Sequence, residues 1–338
     1  MQIETINVLN NRWSIRGLLF LLIVCFALAG CSTQPKVMFT LHSHSAYIPE
    51  QGKSELHRFA PVIVTPDDHA HNRIGKVVAT RISKKKNSIS INPDTPVFYT
   101  SEQEFHTETQ TYRNLIYRFH FSSVPFSVMP FYLTSGKNVG LMVIVTLDEL
   151  SRPVLITTVH TCGCYFAITP TNFLAQSALP DNWTSKQTIF GETLPGIIGF
   201  PTMDTHEIKP VIYLRADTHR VMDISAEHIQ TLNNLYRAQT INFMPIEALK
   251  QLPLGNGTST SFYHDSGFHQ GYVKEAFKPW EFLLMSWWAL DWHIGSDKEY
   301  GPKEKTGTVF YTSLKPWARE QSDLWKFEQF LRYWGWKL

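Results

Sequence analysis

Residues 139–164, VGLMVIVTLDELSRPVLITTVHTCGC, carry the clearest fold signal in the chain. Two apolar runs, Val139–Leu147 and Val154–His160, are rich in β-branched residues and flank the polar segment Asp148–Pro153. β-Branched residues favour strands, and a polar break that contains proline favours a turn. The stretch therefore predicts a β-hairpin whose loop is longer than two residues.

Strand-like runs dominate the chain before this hairpin, and helical spacing becomes stronger after it. Short apolar or alternating runs separated by turn residues lie between residues 61 and 121. Three later segments combine helical spacing with a capping residue or an opening proline. These segments are Ser225–Ala238, Pro245–Leu252 and Ser322–Trp334. We therefore expect an α+β fold, with a mainly antiparallel sheet in the N-terminal two thirds and helices concentrated towards the C-terminus.

The composition is that of a folded chain. Of the 338 residues, 43% are apolar and 18% are charged, which excludes an intrinsically disordered protein. Four cysteines are too few for a small disulfide-dense scaffold. The formal net charge of +2 gives no reason to expect a nucleic-acid partner, because phosphate binding needs a clustered positive surface.

The N-terminal segment has the pattern of an export signal. In residues 12–31, RWSIRGLLFLLIVCFALAGC, Arg12 and Arg16 precede the apolar run Leu18–Leu28. This run has the length of a signal-peptide core and is too short to span a bilayer comfortably.

The end of this segment, residues 28–31 with the sequence LAGC, resembles the lipobox of bacterial lipoproteins. In that family the cysteine receives a diacylglycerol thioether, and cleavage leaves it as the acylated first residue. The resemblance implies a lipoprotein signal peptide over residues 1–30 and a lipid anchor at Cys31, which attaches the protein to a membrane. Ser32 in place of an aspartate implies sorting to the outer membrane, with the protein facing the periplasm.

These boundaries predict the organisation of the mature chain. The acylated cysteine and a polar tether are expected over residues 31–58, followed by one globular domain over residues 59–338. The Gly/Ser/Thr-rich stretch at residues 254–261 is a candidate subdomain boundary.

The candidate chemistry follows the hairpin. If the strand continued, His160, Cys162 and Cys164 would project from one face at intervals of about 6.6 Å. One imidazole and two thiolates are ligands that Zn(II) and Cu(I) prefer, so these residues form a candidate zinc or copper site. The candidate additional ligands are His264, His269 and His293.

Two other interpretations of the cysteines remain open. In an oxidising compartment, Cys162 and Cys164 can form a disulfide if Gly163 kinks the backbone. Alternatively, both cysteines are small core residues and His160 forms an internal hydrogen bond. The sequence contains no G-x-S-x-G elbow, H-E-x-x-H motif or P-loop that would identify a catalytic class.

Tryptophan is concentrated near the C-terminus, where the last 59 residues contain eight of the ten. In Trp280–Trp292, WEFLLMSWWALDW, ten of thirteen residues are apolar, and Glu281, Ser286 and Asp291 are five positions apart. That spacing distributes the polar residues around a helix. We therefore expect a helix buried on all sides, and not a helix that lies in a membrane interface.

Three functions are consistent with these features. The first is a lipid-anchored envelope protein that binds a small-molecule ligand or a protein partner in the periplasm, with a metal on the His-x-Cys-x-Cys segment. The second is a periplasmic redox or metal-dependent hydrolytic enzyme that uses the same segment. The third is a structural or assembly lipoprotein without chemistry of its own.

Overall fold

The computed structural model describes residues 43–83, 86–201, 207–255 and 257–338. Strands account for 43% of the residues and helices for 16%. The strands of the described residues are β1 (His44–Pro49), β2 (Val62–Pro66), β3 (Lys76–Ser83), β4 (Lys86–Asn92), β5 (Val97–His106), β6 (Thr111–His120), β7 (Ser123–Val124), β8 (Gly136–Lys137), β9 (Gly140–Leu147), β10 (Pro153–His160), β11 (Ala167–Pro170), β12 (Lys186–Ile189), β13 (Glu192–Pro195), β14 (Ile208–Leu214), β15 (Val221–His228), β16 (Arg237–Pro245), β17 (Leu252–Pro253), β18 (Ser259–Thr260), β19 (Tyr272–Phe277) and β20 (Ser296–Lys298). The α-helices are α1 (Glu55–Arg58), α2 (Ile229–Leu235), α3 (Pro279–Ala289), α4 (Lys303–Thr306) and α5 (Phe327–Tyr333).

Ten strands form one curled mixed sheet in the order β11-β10-β9-β6-β5-β16-β1-β2-β14-β15. Neighbouring strands are antiparallel except at the pairs β5 with β16, β16 with β1, and β2 with β14. Strand β16 joins the two halves of the sheet, because Arg237 lies opposite Ser45 of β1 and Asn242 lies opposite Val97 of β5.

The predicted hairpin is confirmed by β9 and β10, which pair antiparallel with Thr157 opposite Ile144. Both strands are buried along their whole length. Leu141 and Val143 of β9 point into one core, whereas Met142 and Ile144 point into another on the opposite face. The second core is completed by C-terminal side chains, including Phe310, Leu324, Phe327, Phe330, Leu331 and Trp336. Burial on both faces explains why these strands are continuously apolar.

The α+β prediction is wrong, because the sheet extends through most of the chain and the helices are few and short. Ser225 does not cap a helix: it lies in β15 opposite Val211, and α2 covers only Ile229–Leu235. Residues Ile246–Lys250 form a 3-10 turn, and α5 has only two turns. Apolar residues three or four positions apart predict a helix with one buried face, but of the apolar residues in α2 only Leu232 is buried.

The tether prediction is wrong for residues 44–58. His44–Pro49 forms β1, between β2 and β16 in the large sheet, and Glu55–Arg58 forms α1. The predicted signal peptide and Cys31 lie outside the described residues. Within the described part of the chain, no helix is both long enough and apolar enough to cross a membrane.

Helix α3 reverses the usual arrangement of a surface helix. It buries Glu281, Ser286 and Ala289. It exposes large apolar side chains, and so does the segment that follows it; these are Leu283, Trp287, Trp288, Leu290 and Trp292. The prediction of a helix buried on all sides is therefore wrong, since the polar side chains face the protein and the tryptophans face outward.

Candidate functional site

A tight turn after β10 positions the cysteine pair. The strand ends at His160, whose backbone N–H donates to the Cys164 carbonyl at 3.0 Å, and the Gly163 N–H donates back to the His160 carbonyl at 2.7 Å. Gly163 has a φ of +88°, and a Cβ at this position would collide with the Tyr311 carbonyl oxygen. The turn therefore requires glycine at residue 163.

The turn brings the Cα atoms of Cys162 and Cys164 to 5.5 Å, and their sulfurs form a disulfide. This separation is ordinary for a disulfide and shorter than the spacing of alternate residues in a regular strand. The expectation of three ligands along one extended face is thus wrong, because the strand stops at His160. Cys162 is buried, whereas Cys164 is partly exposed.

A buried carboxyl group lies next to the disulfide. An oxygen of Glu281 lies within 4.8 Å of both sulfurs. The Oε2 atom of Glu281 is buried and has no hydrogen-bond partner among the described residues. Burial raises the pKa of Glu281, and the positive charge of Lys278 opposes this rise. The inverted orientation of α3 therefore places a carboxyl group with a raised pKa beside the cysteine pair.

Two buried lysines complete the surroundings of the pair. Lys278 forms a fully buried ion pair with Asp297. Lys298 donates a hydrogen bond from Nζ to the carbonyl oxygen of Cys162. Burial lowers the pKa of Lys298 to about 8. A cation beside a cysteine favours its thiolate form.

A hydrogen-bonded aromatic group lies behind this lysine. The Lys298 ammonium is 3.9 Å from the centre of the Tyr311 ring, and the Tyr311 hydroxyl donates to Asp291. Burial alone would raise the pKa of Asp291, but hydrogen bonds from His293 and Tyr311 lower it well below its usual value. These contacts fix the Tyr311 backbone, which in turn excludes a side chain at residue 163.

His160 is directed elsewhere. Its Nε2 is 3.1 Å from the carbonyl oxygen of His219, and burial lowers the pKa of His160 to about 3. The group of candidate ligand atoms around the cysteines contains Glu281 and not His160. The predicted zinc or copper ligand set does not fit this arrangement, because both sulfurs are bonded to each other and the imidazole is engaged with a backbone carbonyl.

The three histidines predicted as additional ligands form a separate cluster. The ring of His269 lies 5.6 Å from that of His264 and 5.7 Å from that of His293. His293 has its Nε2 at 2.7 Å from the Phe268 carbonyl oxygen and its Nδ1 at 3.6 Å from Asp291. Both nitrogens of His293 therefore already face protein oxygens. None of the three histidines belongs to the cluster formed by Cys162, Cys164 and Glu281.

Sequence reasoning missed Glu281, Lys278 and Lys298 as parts of the site. The available signal was a glutamate inside an otherwise apolar tryptophan-rich segment, which has to be either exposed or paired when buried. The two lysines carried no comparable signal, since lysine is common on protein surfaces.

Protein-family models, curated proteins and solved structures gave no match to the chain. The chemistry of the site therefore rests on its own residues. A disulfide with one partly exposed cysteine, a neighbouring carboxyl group and a nearby ammonium group has the components for thiol–disulfide exchange.

Proposed function

We propose that the protein is a lipid-anchored thiol–disulfide oxidoreductase of the cell envelope, with Cys162 and Cys164 as its redox pair. The observation that carries this proposal is the buried Glu281 carboxyl group, which has an oxygen within 4.8 Å of both sulfurs and whose Oε2 atom has no hydrogen-bond partner among the described residues. A purely structural disulfide does not need a proton donor beside it. The lipid anchor at Cys31 rests on the lipobox resemblance.

The proposed exchange begins at Cys164, the more exposed of the two cysteines. A thiolate of a dithiol substrate attacks Cys164 Sγ, the Cys162–Cys164 bond breaks, and Cys162 leaves as a thiolate. The positive charge of the Lys298 ammonium group stabilises the negative charge that develops on Cys162 Sγ as the bond breaks. The Glu281 carboxylic acid then gives its proton to this thiolate. The raised pKa of Glu281 keeps the acid protonated to a higher pH than an exposed glutamate.

The second half of the exchange releases the substrate. Its other thiolate attacks the sulfur bound to Cys164, so Cys164 leaves as a thiolate and takes a proton from solvent. Two electrons pass from the substrate to the protein, which becomes a dithiol, and the substrate becomes a disulfide. A second exchange with a disulfide compound, such as glutathione disulfide, restores the starting state.

Turnover with reduced ribonuclease in a glutathione buffer tests this function. We expect the wild-type protein to accelerate disulfide formation, and Cys162→Ser and Cys164→Ser to abolish the acceleration. Glu281→Gln should lower the rate by about tenfold to hundredfold, because removing a proton donor costs that much or more. Asp323→Asn is the matched control, since Asp323 is also buried with a raised pKa but does not belong to the cluster of Cys162, Cys164 and Glu281.

The same preparation separates the alternatives. Activity that persists in both serine variants would overturn the redox proposal. Stoichiometric zinc or copper in the reduced wild-type protein, together with no exchange activity, would support the predicted metal site instead. Intact-mass analysis of the membrane fraction should show acylated Cys31 as the first residue, and an unmodified mass would overturn the proposed anchor.

A further inference from the structure

Helix α3 and its surroundings present an unusual apolar surface. We call this surface the aromatic face; it consists of Phe126, Val128, Met129, Leu283, Trp287, Trp288, Leu290, Trp292 and Trp317, all of which are exposed. Isolated exposed apolar side chains are common, but a set of this size on adjoining segments marks an interaction surface.

The segments that form the aromatic face contact one another. The Phe126 ring lies 5.9 Å from the ring of Trp280 at the start of α3. At the other end of the helix, Arg319 donates to the Ala289 carbonyl oxygen at 2.5 Å, which holds the neighbouring Trp317 segment in place. The face is therefore continuous along α3.

We infer that the aromatic face lies in the headgroup region of a phospholipid bilayer. Tryptophan is enriched at this depth of a membrane because its ring is amphipathic. An interfacial helix usually directs a charged side to water and an apolar side to lipid. In α3 the polar residues Glu281 and Ser286 are buried in the protein. The exposed side of the helix is therefore almost entirely apolar.

The distribution of charge fits an anionic lipid surface. Both acidic residues of segment 279–292, Glu281 and Asp291, are buried. Exposed lysines lie at the margins of the face: Lys315 is two positions from Trp317, and Lys137 follows Gly136, which packs against the backbone of Phe277. Glu275 and Glu320 are also exposed near these margins, and Glu320 forms ion pairs with Lys303 and Lys326. Basic residues beside an apolar surface are attracted to anionic headgroups.

The length of chain before the described residues also fits this occupant. Cys31 precedes Ser43 by twelve residues, which span at most about 40 Å when fully extended. The lipid proposed at Cys31 would therefore keep Ser43, the first described residue, within about this distance of the bilayer. This step rests on the proposed anchor, whereas the aromatic face itself is independent of the redox chemistry.

Quenching of tryptophan fluorescence by brominated lipid tests the inference. Protein extracted from membranes is reconstituted into vesicles of phosphatidylethanolamine and phosphatidylglycerol, with or without bromine on the upper acyl chains. We expect brominated lipid to quench wild-type emission. The double variant Leu283→Glu/Trp287→Glu should reduce the quenched fraction to about half or less, because interfacial binding scales with the apolar area buried.

Leu150→Glu is the matched control. Leu150 is 71% exposed and Trp287 is 68% exposed, but Leu150 lies in the β9–β10 loop at the opposite end of that hairpin from the cysteine turn. We expect this variant to be quenched as the wild type is. If the proposed anchor retains every variant on the vesicles, lost quenching reports the orientation of the domain. We expect the redox assay to be the same for these variants and the wild type, because Leu283, Trp287 and Leu150 are exposed.

Two results would overturn the inference. One is wild-type emission that brominated lipid does not change, and the other is equal quenching of the wild type and the double variant. A dimer in sedimentation experiments that the double variant dissociates, without quenching of the wild type, would assign the face to a second copy of the chain. Thermal unfolding of each variant verifies that it remains folded.

Discussion

Gly163 determines whether the two cysteines can meet, because its positive φ reverses the chain between them. Tyr311 restricts the same position from outside, since its carbonyl oxygen occupies the place of a side chain. One residue thus satisfies a backbone requirement and a packing requirement together.

The substitution Gly163→Ala is expected to lower the free energy of unfolding by about 3 kcal/mol, from backbone strain and overpacking combined. Gly191→Ala should cost only about 1–2 kcal/mol, because Gly191 has a φ of +83° but faces open space. Urea unfolding of both variants measures the difference. Equal losses would show that the Tyr311 backbone moves away at little cost.

Four buried histidines, His44, His120, His160 and His219, have a lowered pKa, and His160 and His219 show how this makes the fold sensitive to acid. Burial lowers the pKa of His160 and of His219 to about 3, so both stay neutral in the folded protein well below pH 6.5. The unfolded chain takes up these protons near pH 6.5. Their contribution to stability is therefore complete above pH 6.5 and falls progressively as the pH decreases towards 3.

His219→Gln removes about one proton that only the unfolded chain takes up. The free energy of unfolding should therefore change less steeply with pH, by about 1.4 kcal/mol per pH unit between pH 6 and 4. His106→Gln, which alters an exposed histidine, should leave the slope unchanged. Urea unfolding at a series of pH values provides the slopes. Identical slopes for the wild type and His219→Gln would contradict the role of His219.

At the scale of elements, α3 and α5 show that similar apolar sequences can be placed in opposite ways. Phe327, Phe330 and Leu331 of α5 are buried against the large sheet. In α3 the apolar residues Leu283 and Trp287 are exposed. The large apolar side chains of α5 therefore contribute to folding, whereas Leu283 and Trp287 of α3 do not bury comparable apolar area.

Phe330→Ala is expected to destabilise the fold by about 3–5 kcal/mol, as removal of a buried aromatic ring does. Trp287→Ala should change the free energy of unfolding by no more than about 0.5 kcal/mol, because its ring is exposed. Thermal and urea unfolding of the two variants test this contrast. A large loss in Trp287→Ala would mean that this tryptophan stabilises the fold.

The sequence predicts some of these elements well. The β9–β10 hairpin is predictable because its β-branched runs indicate strands and the polar loop between them indicates a turn, so neighbouring residues all favour the same structure. The orientation of α3 is not predictable in the same way. Lys278 precedes α3 directly, but burial of Glu281 also depends on the cysteine turn and on the charge of Lys298, which lie outside the helix.

At the scale of the whole molecule, the sequence predicts individual strands but not their order. Nothing local to Arg237–Pro245 indicates that this strand inserts between β5 and β1. The outcome at Cys162 and Cys164 is equally non-local, because it depends on the backbone of Tyr311. The local sequence therefore does not distinguish the metal, disulfide and core interpretations, because the geometry of the turn depends on a residue about 150 positions away.

The position of β16 also has a consequence for synthesis. Ser45 of β1 pairs with Arg237 of β16, about 190 residues later in the chain. Strand β5 pairs with the other half of β16. At translation rates of about 5–20 residues per second, β1 and β5 are made roughly 7–40 s before the strand that pairs with both. Open edges are templates for pairing with other chains. We therefore expect the nascent chain to need a holding chaperone, and to aggregate when residues beyond 236 are not made.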